Sequence, residues 1–290
     1  MLERSGRRRW RVAVALCAAL LALGVAWACQ SKAQSARTGA AGAGAGTTSA
    51  AALQIVEHLR IGRGVEAERL RYRDKEYLVV RTVPAARIDV LLMNSEDDRF
   101  SSFPELEAQL ARRKQRLLWA MNGGMYHLAR NPVGLLVSRA QTRSALNTQT
   151  GYGNFYLEPN GVFALTEAGP RILSTQAFRA RGTGDARVLE ATQSGPLLLL
   201  SGKFARVFDA NSNSRVTRNG VAITQQNQIL FAISSDAVSF HEFASALIAL
   251  GCRDALYLDG SISAAYVPKL GRKDSGEGLG PVIVLSEASD

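Results

Sequence analysis

From Ile55 to Leu285 the chain is a succession of apolar runs too short for helices, punctuated by Gly, Pro, Asn and Asp. Such a pattern reads as a strand-rich domain in which tight turns reverse the chain every few residues. The expected strands are Ile55–Ile61, Val65–Tyr72, Tyr77–Val83, Ile88–Met93, Leu117–Met121, Val133–Val137, Asn154–Leu157, Val162–Leu165, Leu197–Leu200, Val221–Thr224, Ile229–Ile233, Leu256–Leu258 and Val282–Leu285. Two segments break the pattern. Phe103 to about Lys114 and Phe240–Leu250 read as helices: the second carries apolar residues at 240, 243, 244, 247 and 248, the spacing of one helical face, and Ser102 with Glu105 and Ser239 with Glu242 are capping-box pairs at their starts. Gly251 closes the second helix. The predicted fold is α+β: one strand-rich domain with two main helices and a strand–helix–strand crossover unit near the C-terminus, from Ile229 to Leu258.

The N-terminus has a different grammar. Arg4, Arg7, Arg8, Arg9 and Arg11 precede the apolar stretch Val12–Val25, and Ala26-Trp27-Ala28 fits the small-x-small cleavage rule. Residues 1–28 are therefore predicted to be a signal peptide. The next residue is Cys29, the position acylated in a bacterial lipoprotein; plain secretion and an uncleaved anchor helix are the alternatives. From 29 to 52 the chain is almost wholly Ala, Gly, Ser, Thr and Gln, a flexible low-complexity tether unable to bury apolar surface. The folded domain is expected over 53–290. Its predicted location is the periplasmic side of the cell envelope, bound to the membrane through the N-terminal lipid.

Charge excludes one class of partner. The formal charge is +10, but five of the 35 basic residues and one of the 25 acidic ones lie before Val12, which leaves an excess of +6. That excess is scattered, and no basic block interleaved with aromatics suggests a nucleic-acid surface. With Cys17 in the leader, only Cys29 and Cys252 remain, too few for a disulfide framework. Cys252 sits in an apolar stretch and reads as a small buried hydrophobe.

The common catalytic signatures are missing: there is no nucleophile elbow, Walker loop or His-Glu-x-x-His, and His58, His127 and His241 lack metal-ligand spacing. Polar residues at strand ends stand out instead. Trp119-Ala-Met-Asn122-Gly123-Gly124 ends a strand in an amide followed by two glycines, and Ala255-Leu-Tyr-Leu-Asp259-Gly-Ser261-Ile-Ser263 ends one in a carboxylate. Gln193-Ser-Gly-Pro196 and the loop Asn211–Gly220, which carries Arg215 and Arg218, stand just before apolar runs. Strand ends are where folds assemble sites from residues distant in sequence, although each segment also reads as a plain polar turn.

Taken together, Met121-Asn-Gly-Gly-Met-Tyr126, Pro132-Val-Gly134, Asn154–Phe163, Gln193-Ser-Gly-Pro196, Arg218-Asn-Gly-Val221 and Leu256-Tyr-Leu-Asp-Gly260 resemble, in order and spacing, the phosphodiester glycosidase family, which includes the lysosomal enzyme that uncovers mannose 6-phosphate. The resemblance runs from about Arg69 to Leu285. It implies hydrolysis of a sugar-1-phosphodiester in envelope glycans, with a sugar phosphate or envelope polysaccharide as substrate. Expulsion of a stable phosphate anion lessens the need for a general acid, so one carboxylate and one phosphate-binding cation suffice. Asp259 and Arg218 supply that pair. Asn122 and Gln193 are expected to bind sugar hydroxyls, and Gly123, Gly124, Ser261 and Ser263 to offer amides or hydroxyls to phosphate. This chemistry demands neither a cofactor nor a metal. The alternative is a non-catalytic envelope glycan-binding lipoprotein using the same pocket, which the low aromatic content of 7% weakens.

Overall fold

The run Ile229-Leu-Phe-Ala-Ile-Ser234 is buried at every position, as a strand must be when both faces of its sheet are covered. Ile229, Phe231 and Ile233 enter one core with Trp119, Val221, Leu256 and Ile283. Leu230 and Ala232 point the other way, into a core shared with Phe243 and Leu247 of a helix.

The computed structural model describes residues 52–98, 100–259 and 262–289. The expected signal peptide, Cys29, nearly all of the tether, and Ser261 lie outside them. In chain order the elements are β1 (Gln54–Gly62), β2 (Val65–Tyr72), β3 (Lys75–Thr82), β4 (Ile88–Leu92), α1 (Phe103–Arg112), β5 (Gln115–Asn122), β6 (Leu136–Ser138) and β7 (Gln141–Ser144). A 3-10 turn (Asn154–Tyr156) leads to β8 (Gly161–Thr166), β9 (Gly169–Ser174), α2 (Thr175–Arg181), β10 (Gly182–Asp185), β11 (Val188–Ser194), β12 (Leu197–Leu200) and β13 (Lys203–Phe204). Then come β14 (Asn219–Thr224), β15 (Ile229–Ser234), α3 (Phe240–Ala249), β16 (Cys252–Asp259), β17 (Ala265–Val267), a 3-10 turn (Pro268–Leu270), β18 (Arg272–Lys273) and β19 (Pro281–Ala288).

The strands form an eight-stranded sheet ordered β1-β2-β3-β15-β14-β16-β12-β13, a five-stranded sheet β7-β6-β11-β8-β9 and another β18-β17-β5-β19-β4. The main core lies among all three, with Trp119 and Met121 from β5, Phe163 from β8 and Leu256 and Leu258 from β16. α3 covers the outer face of the large sheet. α1 covers the sheet of β5 and β19, burying Phe103, Leu106 and Leu110 at helical spacing. α3 also joins β15 to β16, which flank β14 and are both antiparallel to it.

Local chemistry explains the helix ends. Ser239 Oγ accepts from the Glu242 amide and the Glu242 carboxylate accepts from the Ser239 amide, a complete capping box. At α1 the box is incomplete: Ser102 Oγ accepts from the Glu105 amide, but the Glu105 carboxylate reaches the amide and hydroxyl of Ser101. Cys252 is buried, and burial pushes its thiol up to about 12.

The structure departs from the sequence reading in several places: the strands β7, β9, β10, β13, β17 and β18 were not expected, and the expected strand Val133–Val137 forms only from Leu136, as β6. A third helix, α2, forms over seven residues, capped by Ser174 Oγ on the Ala177 amide; it is too short to show an apolar period. The expected strand Asn154–Leu157 is the first 3-10 turn, because burying Phe155 beside Tyr156 takes precedence over extending the backbone. β11 was hidden because its buried positions include Glu190, Thr192, Gln193 and Ser194.

Candidate active site

Three strand ends meet at one point. β5 ends at Asn122, β16 ends at Asp259, and β14 begins at Asn219, which pairs with Asp259 across the large sheet. Asn219 Nδ2 donates to Asn122 Oδ1 at 2.7 Å and to the Asn122 carbonyl at 3.1 Å. Asn219 Oδ1 accepts from the Asp259 amide at 2.9 Å, and Asn122 Oδ1 also accepts from the Ala264 amide at 3.0 Å. Both asparagines are fully buried, so these bonds replace water entirely and fix the strand carrying Asp259 against the neighbouring sheet. Asn219 was not among the expected site residues, although the Asn-Gly pair opening β14 marked its position.

β11 buttresses this point with consecutive polar side chains. Thr192 Oγ1 donates to the Gly123 carbonyl at 2.7 Å, and Ser194 Oγ donates to the Leu258 carbonyl at 2.7 Å. Between them, Gln193 Oε1 accepts from the amides of Leu135 and Asn147, while Nε2 donates to the Asn147 carbonyl and Thr175 Oγ1. That fills all four positions of the amide. Gln193 therefore holds two loops in place instead of offering its side chain to a sugar.

The glycine pair serves packing as well. A Cβ on Gly124 would stand 2.7 Å from Thr192 Oγ1, and one on Gly123 would stand 3.0 Å from the Val282 backbone. The Gly123 amide donates to the Pro281 carbonyl at 2.7 Å, so it is not open to phosphate. The Ser263 hydroxyl lies 2.7 Å from the Asp259 carbonyl and 3.0 Å from that of Thr217, where it closes the loop after β16.

Asp259, 6% exposed, lines a cleft of about 470 Å³ whose other walls include Met125, Tyr126, Tyr152, Phe155 and Tyr156. It is the sole acidic residue among the described residues of that lining. The rings come from two segments far apart in sequence, so a low overall aromatic content conceals a locally aromatic cleft. Burial, with the nearby Asp259 charge second, raises the Tyr126 hydroxyl above its ordinary value. Tyr126 Oη and Asn122 Nδ2 are buried donors with no partner among the described residues.

Arg218 lies one layer behind, 1% exposed. Its guanidinium stacks 3.7 Å from the Phe240 ring centre and donates to the carbonyls of Val238 and Ser214 and to Tyr257 Oη. Burial lowers its basicity. No carboxylate among the described residues pairs with it, and it does not line the cleft. Of the four strand-end residues expected to face one cavity, Asp259 alone faces it; Asn122, Gln193 and Arg218 build its frame.

Residues 115–283, more than half of the chain, match the phosphodiester glycosidase family. The chain belongs to that family. Uncharacterized protein YigE of Escherichia coli strain K12 is 36% identical over 149 residues, 51% of this chain and 57% of that protein, so the match spans little more than half of that curated relative. The catalytic domain of zebrafish N-acetylglucosamine-1-phosphodiester alpha-N-acetylglucosaminidase, auto-inhibited by its pro-peptide, superposes with a TM-score of 0.53 at 11% identity, over 80% of this chain and 87% of that one. At that identity the likeness shows a shared fold. The family match covers Asn122, Gln193, Arg218, Asn219 and Asp259.

Proposed function

We propose that this glycosidase-type hydrolase cleaves a glycosyl phosphodiester, with Asp259 as the working carboxylate. The observation that carries the reading is the placement of Asp259, alone among acids, in an aromatic cleft on a strand end fixed by Asn219. A sugar ring presents C–H faces that lie well against Tyr126, Tyr152 and Tyr156. In the reaction the bond between the anomeric carbon and the phosphate oxygen breaks and a water oxygen bonds to that carbon. The phosphate monoester leaves as an anion and the free sugar is released. Asp259 stabilises the cationic anomeric centre and takes the proton of the attacking water. The unpartnered hydroxyl of Tyr126, which lines the cleft, suits an oxygen of the substrate.

Arg218 enters this reading differently from a direct phosphate ligand. Its donors are engaged and no carboxylate among the described residues forms an ion pair with it, so it orients Tyr257 and lends positive potential to the cleft from behind. The aromatic lining also suits a module that binds glycans without cleaving them. Turnover separates the two: the full chain, incubated with an aryl-phosphate or UDP ester of a sugar, releases reducing sugar if it is a hydrolase and none if it only binds.

We further assign the protein to the periplasmic side of the envelope, with 1–28 as signal peptide, Cys29 as lipid attachment, 29–52 as tether and 53–290 as catalytic domain acting on envelope glycans. The support is the sequence grammar around Ala26-Trp27-Ala28-Cys29. Replacing Cys29 by Ser releases the protein from membranes under this reading; a wild-type protein that is soluble and lipid-free by mass spectrometry contradicts it.

A further inference from the structure

A second cavity, of about 550 Å³, opens at the other end of β5. Arg116 lies near the start of β5, which ends at Asn122, so the two cavities are separated by roughly 20 Å at ~3.3 Å per strand residue. Its rim carries Arg60, Arg63, Arg87, Arg116 and Lys269 against one acid, Glu287. Glu287 is engaged by Arg116 and by the Arg63 amide, and Arg87 pairs with Asp89 at 3.0 Å. The side chains of Arg60, Arg63 and Lys269 have no carboxylate within ion-pair distance among the described residues. Cations gathered around a cavity with low-dielectric walls focus a positive potential into it.

The floor is apolar and built closely. Ile61, Val65, Leu118 and Leu285 are buried there. Gly62 lets β1 approach: a Cβ would stand 2.4 Å from Leu118 Cδ1 and 3.0 Å from Glu287 Oε2. Ser286 also lies in the lining, and its buried hydroxyl has no hydrogen-bond partner among the described residues. The volume suits a small organic ligand more than a bare inorganic ion. No aromatic ring is among the described residues of the lining, so a nucleobase would find no stacking platform among them.

We propose that this basic cavity is a second ligand site, taking a phosphate group carried on a saccharide-sized body. Arg60, Arg63 and Lys269 receive the phosphate, and the accessible aliphatic lining at Ala85, Ala86 and Ala288 receives the C–H face of the sugar. This site is independent of the hydrolytic reading, because none of its residues touches the Asp259 cleft.

The test measures binding of glucose 1-phosphate, inorganic phosphate and phosphatidylglycerol vesicles to the full chain, in an Asp259→Asn background so that no turnover intervenes. Arg60→Gln/Arg63→Gln/Lys269→Gln is expected to weaken glucose 1-phosphate binding at least tenfold, with inorganic phosphate binding more weakly than the sugar phosphate to the parent protein. Arg63→Glu alone is expected to act in the same direction. Introduced into the wild-type chain, the triple substitution is expected to leave turnover of a UDP-sugar within twofold. Unchanged affinity in both variants overturns the proposal. So does binding to the vesicles without binding of glucose 1-phosphate, which assigns the patch to a lipid surface, and so does loss of turnover together with binding.

Discussion

Asn122 and Asn219, 97 residues apart, bury a 2.7 Å side-chain hydrogen bond that joins the end of one sheet to the start of a strand in another. The same Asn219 amide group accepts the backbone N–H of Asp259. One side chain thus sets where the carboxylate strand stops relative to the rest of the cleft. Removing it leaves a buried amide and a buried carbonyl oxygen short of partners, at about 1–3 kcal/mol each.

Asn219→Ala is accordingly expected to lower stability by about 3 kcal/mol in urea denaturation and to reduce kcat in the fraction that folds. Asn219→Asp is expected to be worse, because it keeps the acceptor for the Asp259 amide but turns an anionic oxygen onto the two oxygens of Asn122. A charge variant as stable as wild type contradicts the network.

Arg218→Lys tests whether the guanidinium is a frame or a ligand. A lysine cannot span Val238, Ser214 and Tyr257 in one plane or stack on Phe240, so a stability loss of about 2 kcal/mol is expected, with KM changed by less than tenfold. A direct phosphate ligand behaves oppositely: stability holds and KM rises far more.

Glu190 couples the fold to pH. Its carboxylate accepts from the amides of Val90 and Arg139, both at 2.8 Å, docking β4 on the turn between β6 and β7. Burial outweighs those donors and pushes its carboxyl up to about 7 from an ordinary 4.5. The unfolded chain therefore releases this proton first. The contribution is full below pH ~4.5, falls as pH rises to about 7, and is then constant, a change on the order of 3 kcal/mol. Glu190→Gln is expected to remove that decline between pH 4.5 and 7, measured as urea-denaturation stability against pH. A variant that keeps the wild-type slope contradicts the assignment.

How much of this was legible in the sequence depended on whether burial was apolar. α3 and β15 could be read because a capping box and an unbroken apolar run are local signals. β11 could not, since Glu190, Thr192, Gln193 and Ser194 are buried for their hydrogen bonds, and polarity mimics a loop. The site was half legible for the same reason. Asp259 was found as a carboxylate ending a strand, but the sequence could not tell that Gln193 and Arg218 spend their donors and acceptors inside the protein. Nor could it bring Tyr126 to Tyr152 and Tyr156, which meet only once the sheets pack.

The central claim is that Asp259 does chemistry and not merely turn-making. The measurement is steady-state kinetics of Asp259→Asn on a UDP or aryl-phosphate ester of a sugar, with folding checked by urea denaturation. The expected result is a kcat lowered at least ~10²-fold with KM nearly unchanged, because the carboxylate acts mainly in the transition state. A folded Asp259→Asn protein with wild-type turnover would contradict the account.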